Sequence, residues 1–163
     1  MTKVPQLPFL EQIQEQSISY NELKGNEHKK NLGQFFTDIN IAKFMASLAN
    51  VNIKQHEINI LDCGSGNGIL AISLLQRLDT LNLSLNVKLH LYEIDQDIIY
   101  SLKSNIEMLQ SHLKNVDLSF TIYQENFILK DINQKFDFII SNPPYFKLNK
   151  ASNEAVKMNY VVH

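Results

Sequence analysis

Ile58-Asn59-Ile60-Leu61-Asp62-Cys63-Gly64-Ser65-Gly66-Asn67-Gly68 is the stretch whose reading sets the architecture. Residues 58–63 are a short apolar run of the kind that forms a buried strand, and residues 69–78 repeat apolar side chains at helical spacing. A strand that turns through glycines into a helix is the opening unit of a parallel sheet, because parallel neighbours need a crossover between them. The alternation continues downstream. Residues 87–94 read as a second strand ending in Glu93, 96–113 as a helix, 118–123 as a third strand and 136–141 as a fourth. The fold class is therefore α/β, with right-handed crossovers, and ligands of such sheets bind beyond the carboxyl ends of the strands. Upstream, residues 1–32 are polar with scattered apolar positions such as Phe9, Leu10, Ile13 and Ile18, which fits one or two short helices or an arm. Thr37 and Asp38 are capping types ahead of Ile41, Ala42, Phe44, Met45, Leu48 and Ala49, whose spacing predicts an amphipathic helix of about three turns. Residues 1–50 are thus expected to form an amino-terminal helical segment, and 51–163 the sheet domain.

The chain has 163 residues, 44% of them hydrophobic and 20% charged, which suits one soluble domain with an ordinary core. No run approaches the roughly 18 uninterrupted apolar residues of a membrane span, and the opening Met1-Thr2-Lys3-Val4-Pro5 lacks the apolar centre of a signal peptide. A cytoplasmic location without membrane contact is the expectation. Cys63 is the single cysteine, so no intrachain disulfide or cysteine-based metal site forms, and a small buried filler is its simplest role. His28, His56, His90, His112 and His163 have no ligand spacing, and no metal is expected. A formal net charge of −2 supplies no general attraction to nucleic acid, so any basic reading surface is local or lies elsewhere.

Chemistry-bearing residues gather at the predicted carboxyl ends. In Gly64-Ser65-Gly66-Asn67-Gly68, glycines let a backbone approach a ligand, and the following helix start offers N–H groups. A dinucleotide fingerprint would place its third glycine at position 69, which is Ile, and rarely sets an acid before a pyrophosphate loop. Asp62 suits a cation, and S-adenosylmethionine carries an ammonium and a sulfonium beside one carboxylate. A tight turn or another nucleotide site stays open on the loop alone. Glu93 can accept both hydroxyls of a ribose, although the 79–86 insert stretches its distance from the loop beyond the usual ~20 residues. Asp95 shares a strand face with Glu93 and is the rival; Glu93 is preferred as nearer the last apolar residues. After the fourth strand comes Asn142-Pro143-Pro144-Tyr145. Pro144 has no N–H, so the Pro143 carbonyl belongs to a stiff segment. An amide, a carbonyl and the Tyr145 ring together suit an exocyclic nucleobase amine, with a rigid strand-to-loop turn as the plain alternative. Gly33-Gln34-Phe35-Phe36-Thr37, taken by itself, reads as core anchors on a capped turn.

Taken in order, Gln34-Phe35-Phe36-Thr37, residues 62–68, Glu93 and Asn142-Pro143-Pro144-Tyr145 resemble the N6-adenine DNA methyltransferases of restriction-modification systems, over about residues 30–148. The resemblance implies a Rossmann-like S-adenosylmethionine-dependent methyltransferase fold, here truncated after about four parallel strands and preceded by amino-terminal helices. It implies S-adenosyl-L-methionine as cofactor, with Thr37 at its methionine end, Asp62 before the loop, Gly64, Gly66 and Gly68 wrapping it, Glu93 on the ribose and Ile94 on the adenine. The family's Asp after strand three is Asn126 here, an amide that can still pair with an adenine edge, and its Pro after Thr is Asp38. Catalysis would fall to Asn142, Pro143 and Tyr145: a flipped adenine stacks on Tyr145, and its amino hydrogens are accepted by the Asn142 side chain and the Pro143 carbonyl. Methyl transfer would be direct, without metal or covalent enzyme intermediate.

The resembled fold has seven strands, the first four in the order 3-2-1-4, and a separate target-recognition domain. Nothing after Tyr145 reads as a fifth strand, so the fourth would be an uncovered apolar edge. The expected partners are double-stranded DNA, reached through a missing or separate recognition domain, and a complementing carboxy-terminal polypeptide. Alternatives are methylation of a protein glutamine or an rRNA guanine amine, or an inactive cofactor-binding remnant.

Overall fold

The computed structural model describes residues 8–32, 36–52, 56–143 and 156. Four parallel strands, β1 (Glu57–Cys63), β2 (Leu85–Tyr92), β3 (Val116–Tyr123) and β4 (Phe138–Ile140), lie in the order β3-β2-β1-β4. Registry is continuous. Ile60 pairs with Leu89 on one side and Phe138 on the other, so Asp62 lies opposite both Leu91 and Ile140. The α/β class is that read from the sequence, and the strand order is that of the resembled fold. The predicted second strand stops at Tyr92, which leaves Glu93 as the first residue beyond it.

Helices α1 (Phe9–Leu32), α2 (Ile39–Ser47), α3 (Ile69–Asp79) and α4 (Gln96–Gln110) complete the described elements. Along β2 the even-spaced Leu85, Val87, Leu89 and Leu91 are buried, and with Ile58 and Ile60 they meet Ile72, Leu75, Leu78, Leu102 and Ile106 of α3 and α4 in one core. Gly68, at φ +90°, opens α3; a Cβ there would come within 2.9 Å of Leu102, so the glycine sets how closely the two helices approach. The opposite sheet face is treated differently. Asn86 and Lys88 are exposed there, while Tyr92 stacks on Tyr123 at 4.5 Å and His90 lies parallel to Tyr123 at 6.0 Å. The β3-to-β4 crossover carries only a 3-10 turn at Phe127–Leu129 instead of the helical crossover the alternation suggested.

Two amino-terminal expectations change. Residues 9–32 form one helix of 24 residues, not two short ones or an arm. Its buried stripe is Leu10, Ile13 and Ser17, and the serine breaks the apolar pattern while satisfying its hydroxyl on the Ile13 carbonyl at 3.0 Å. Helix α2 buries Ile39, Ala42 and Ala46, with Asp38 as its cap accepting from Asn40 N–H. Ile41, Phe44 and Leu48 turn outward instead, because small alanines allow α2 closer to α3 than those side chains would. Among the described residues no helix is long and apolar enough to cross a membrane.

Buried and open parts of the sheet should respond differently to truncation. Ile60→Ala, at a fully buried position of the central strand, is expected to cost about 2–5 kcal/mol in urea unfolding. Ile139→Ala, where β4 leaves the side chain 67% exposed, is expected to stay within ~0.5 kcal/mol. A large loss at Ile139 would mean that β4 is covered in solution.

Candidate active site

The loop after β1 is built by its own hydrogen bonds. Gly64 N–H and Ser65 N–H both donate to the Tyr92 carbonyl, at 2.8 and 2.9 Å, and Gly68 N–H donates to Ser65 O at 2.8 Å. These donors, expected from the sequence to meet a ligand, are engaged in fixing the loop. What the loop offers is room: beyond the Cα of Gly64, at φ +74°, nothing lies within 4 Å of the position a Cβ would take. Gly66 has the opposite problem. A Cβ there would stand 3.3 Å from the Phe36 ring, so the aromatic of the Gln-Phe-Phe-Thr segment rests directly on this glycine.

Glu93 joins the loop to the next turn. One carboxylate oxygen accepts from Gly66 N–H at 2.7 Å and the other from Asp95 N–H at 2.8 Å. Burial raises its pKa above the usual carboxylate value, and the backbone donors oppose that shift. Asp95, the rival from the sequence, is occupied otherwise: it caps α4 by accepting from Asp97 N–H at 3.1 Å, and Tyr20 Oη donates to it at 2.5 Å. Ile94, between them in sequence, has 47% of its surface exposed, an apolar side chain open to solvent.

Asp62 sits beneath the loop, fully buried, with neither carboxylate oxygen holding a hydrogen-bond partner. Burial, reinforced by Glu93, raises its pKa from 3.8 to about 8; the nearby Ala71 N–H at the start of α3 pulls the other way. It does not open onto the protein surface as the cation-binding reading assumed. Cys63 beside it is half-buried, and burial with Asp62 pushes its thiol up to about 12, which keeps it un-ionised and unreactive at neutral pH.

The third wall comes from β4. Asn142 Nδ2 donates to Thr37 Oγ1 at 3.0 Å, across 105 positions of sequence, and Ser141 Oγ donates to the Cys63 carbonyl at 2.7 Å. Thr37, Gly66, Glu93 and Asn142 are thereby assembled around the carboxyl ends of β1 and β4. Pro143 is exposed at the end of this segment. Gln34, Phe35, Pro144, Tyr145 and the segment after it lie outside the described residues. Asn126 uses its side-chain oxygen to cap the 3-10 turn, accepting from Ile128 N–H at 3.1 Å. Its neighbour Phe127 packs edge-on against Tyr92 at 5.2 Å and brings an aromatic ring to the end of β3. The sequence reading took Phe36 as a core anchor of its motif and assigned no role to Phe127 or Tyr20; an aromatic directly after the strand-three amide was the available signal for Phe127. A cleft of about 620 Å³ lies between α1 and α4, and Thr37, Asp62, Glu93, Asn126 and Asn142 do not line it.

Comparison with known proteins follows this geometry. The methyltransferase small domain family matches residues 36–162. The chain is similar to the type II methyltransferase M.BsuBI of Bacillus subtilis, 31% identical over 88% of this chain and 30% of that protein. A bifunctional methyltransferase of Rickettsia typhi is 35% identical over 77% of the chain and 22% of its own length. A tRNA1(Val) (adenine(37)-N6)-methyltransferase of Actinobacillus pleuropneumoniae is 33% identical over 60% of the chain and 37% of its own length. The chain thus spans less than two fifths of these relatives. A solved Pyrococcus horikoshii structure, to which an RNA methyltransferase role is ascribed, shares the fold with a TM-score of 0.50 and 22% identity, over 70% of this chain and 50% of that one.

The buried Asp62 makes a pH signature. Its folded-state pKa lies above the unfolded value, so the folded chain holds a proton that the unfolded chain releases between pH ~4 and ~8. Stability contributed by the protonated form is present below the unfolded value and is lost as pH rises through the folded one. Asp62→Asn, which keeps the shape and cannot ionise, is expected to flatten this decline when urea unfolding is compared at acidic and mildly alkaline pH. Parallel profiles for the two proteins would contradict it.

Proposed function

Since the chain belongs to the methyltransferase small domain family, we propose that it forms the cofactor-binding half of an enzyme that methylates adenine N6 in DNA, within a restriction-modification system, using S-adenosyl-L-methionine. The observation that carries this reading is the Thr37–Asn142 hydrogen bond, which joins the two segments that flank the glycine loop on either side. The resemblance of those segments, and of the type II relatives, points the acceptor toward adenine in DNA.

The residues present fit the cofactor. Gly64 leaves open space above the loop, Glu93 holds a carboxylate at the carboxyl end of β2, and Ile94 and Phe127 place apolar surface on either side. Glu93 would hold the ribose hydroxyls, Ile94 would pack on the adenine, and Asn126 would stand at the adenine edge. Thr37 would border the methionine end, while Asp62, mostly protonated beneath the loop at neutral pH, would present little charge to it. When bound, S-adenosylmethionine supplies an electrophilic methyl group.

The chain's own part is positional. With Nδ2 turned to Thr37, the Asn142 amide is fixed so that Oδ1 is its acceptor end, suited to an amino hydrogen of the target base. The Pro143 carbonyl is the second acceptor, and Tyr145 supplies the stacking face. Accepting those two hydrogens raises electron density on the amine nitrogen, so that positioning and electrostatics supply the acceleration without a strong base. Net charge −2 and the exposed Ile139 on β4 support a division of labour in which a complementing carboxy-terminal polypeptide covers the edge and brings the DNA-reading surface. The tRNA relative favours one second reading, the same amine chemistry on RNA adenine.

The test is transfer of labelled methyl from S-adenosylmethionine to duplex DNA after the chain is combined with the carboxy-terminal part of a type II relative. Asn142→Ala is expected to remove transfer by at least ~100-fold while cofactor affinity stays within about tenfold. Equal loss of both would overturn the assigned roles, and transfer to tRNA in place of DNA would establish the second reading.

A further inference from the structure

Helix α1 is the longest described element, yet among its described side chains only Leu10 and Ile13 are buried in the apolar core, with Phe9 packed against it. Polar groups of the same helix reach the start of α2, the glycine loop and α4. Gln14 accepts from Ile39 N–H at 3.0 Å, where α2 begins. Asn67, in the glycine loop, donates to the Ile13 carbonyl at 2.8 Å and to Ser17. Asn105 of α4 donates both to Gln16 and to the Asn67 carbonyl, each at 3.0 Å. A helix attached through such contacts contributes orientation more than burial, since hydrogen bonds are directional and apolar contacts are not.

Tyr20 closes this arrangement. Its hydroxyl donates to Asp95 at 2.5 Å, and its ring meets Phe36 edge-on, with centroids 5.9 Å apart and planes at 89°. Phe36 rests on Gly66, Gly66 N–H donates to Glu93, and Glu93 accepts from Asp95 N–H. The contacts therefore form a ring, Tyr20 to Asp95 to Glu93 to Gly66 to Phe36 and back. A hydroxyl-to-carboxylate bond of this length is charge-assisted and stronger than a neutral one, so it is the stiffest link through which α1 can act on Glu93.

We propose that Tyr20 is a positioning residue for the cofactor site: through Asp95 it fixes the Glu93 carboxylate where a ribose diol is received, and through Phe36 it holds the cover over Gly66. This rests on the reading of Glu93 as the ribose-binding carboxylate. Tyr20 itself touches no ligand in this account. Its influence is confined to the part of the ligand that Glu93 meets, which distinguishes it from a residue that merely stabilises the fold.

The experiment uses the full chain and two ligands, S-adenosylhomocysteine and its 2′,3′-dideoxy analogue, with affinities read by calorimetry. Tyr20→Phe keeps the ring on Phe36 and removes the hydroxyl; it is expected to weaken the natural diol at least about fivefold and the dideoxy analogue by less than about twofold. Asp95→Asn, which keeps a good helix cap while removing the charge, should reproduce that pattern and guards against a fold defect in either variant. Equal weakening of both ligands, or no weakening of either, overturns the positioning role. Failure of the unsubstituted chain to bind S-adenosylhomocysteine overturns the cofactor reading itself, and this proposal with it.

Discussion

The arrangement of this end of the sheet depends on one carboxylate. Glu93 is nearly buried and receives two backbone N–H groups, from Gly66 on one side and Asp95 on the other. Two such donors offset the cost of burying a charge and tie the β1 loop to the β2 turn. Remove the carboxylate and the glycine loop loses the acceptor of Gly66 N–H, while the Tyr92 carbonyl continues to hold Gly64 N–H and the Ser65 N–H and hydroxyl. The neighbouring Asp62 shows the contrast. It is just as deeply placed, and burial raises both acids, Asp62 to about 8; at Glu93 the Gly66 and Asp95 N–H groups oppose the rise.

A second constraint is chain topology. The order β3-β2-β1-β4 brings the carboxyl ends of β1 and β4 side by side, so Asn142 meets Thr37 and Ser141 meets Cys63. Parallel pairing and right-handed crossovers make that proximity a consequence of the fold and not of local sequence. Among the described residues β4 has a single neighbour, and Ile41, Phe44 and the capping Leu48 of α2 add further exposed apolar surface. Apolar surface of this kind is the mark of a contact face.

Much of this was legible before any coordinates. The run from Ile58 into Gly68 carries period, turn residues and helix spacing together, and the observed β1 and α3 lie within a residue of where that pattern puts them. Strand period alone could not separate Glu93 from Asp95, and Glu93 was preferred only as nearer the last apolar residues; in the structure Asp95 is the cap of α4, while Glu93 accepts from Gly66 N–H. Helix α1 was obscured by Ser17 in its buried stripe, a position where a hydroxyl satisfied on the preceding turn stands in for an apolar side chain. The outward face of α2 was misread because alanines, not large residues, make its closest contact. Nor could sequence show that the glycine-loop N–H groups are engaged within the protein, since that follows from where Tyr92 ends β2.

The central claim is that this end of the sheet receives S-adenosylmethionine through Glu93. Calorimetric titration of the folded chain with S-adenosylmethionine tests it directly. The account predicts micromolar binding that is lost in Glu93→Ala, while circular dichroism of the variant stays that of a folded chain. A folded wild-type chain with no binding, or binding that survives the loss of Glu93, would contradict it.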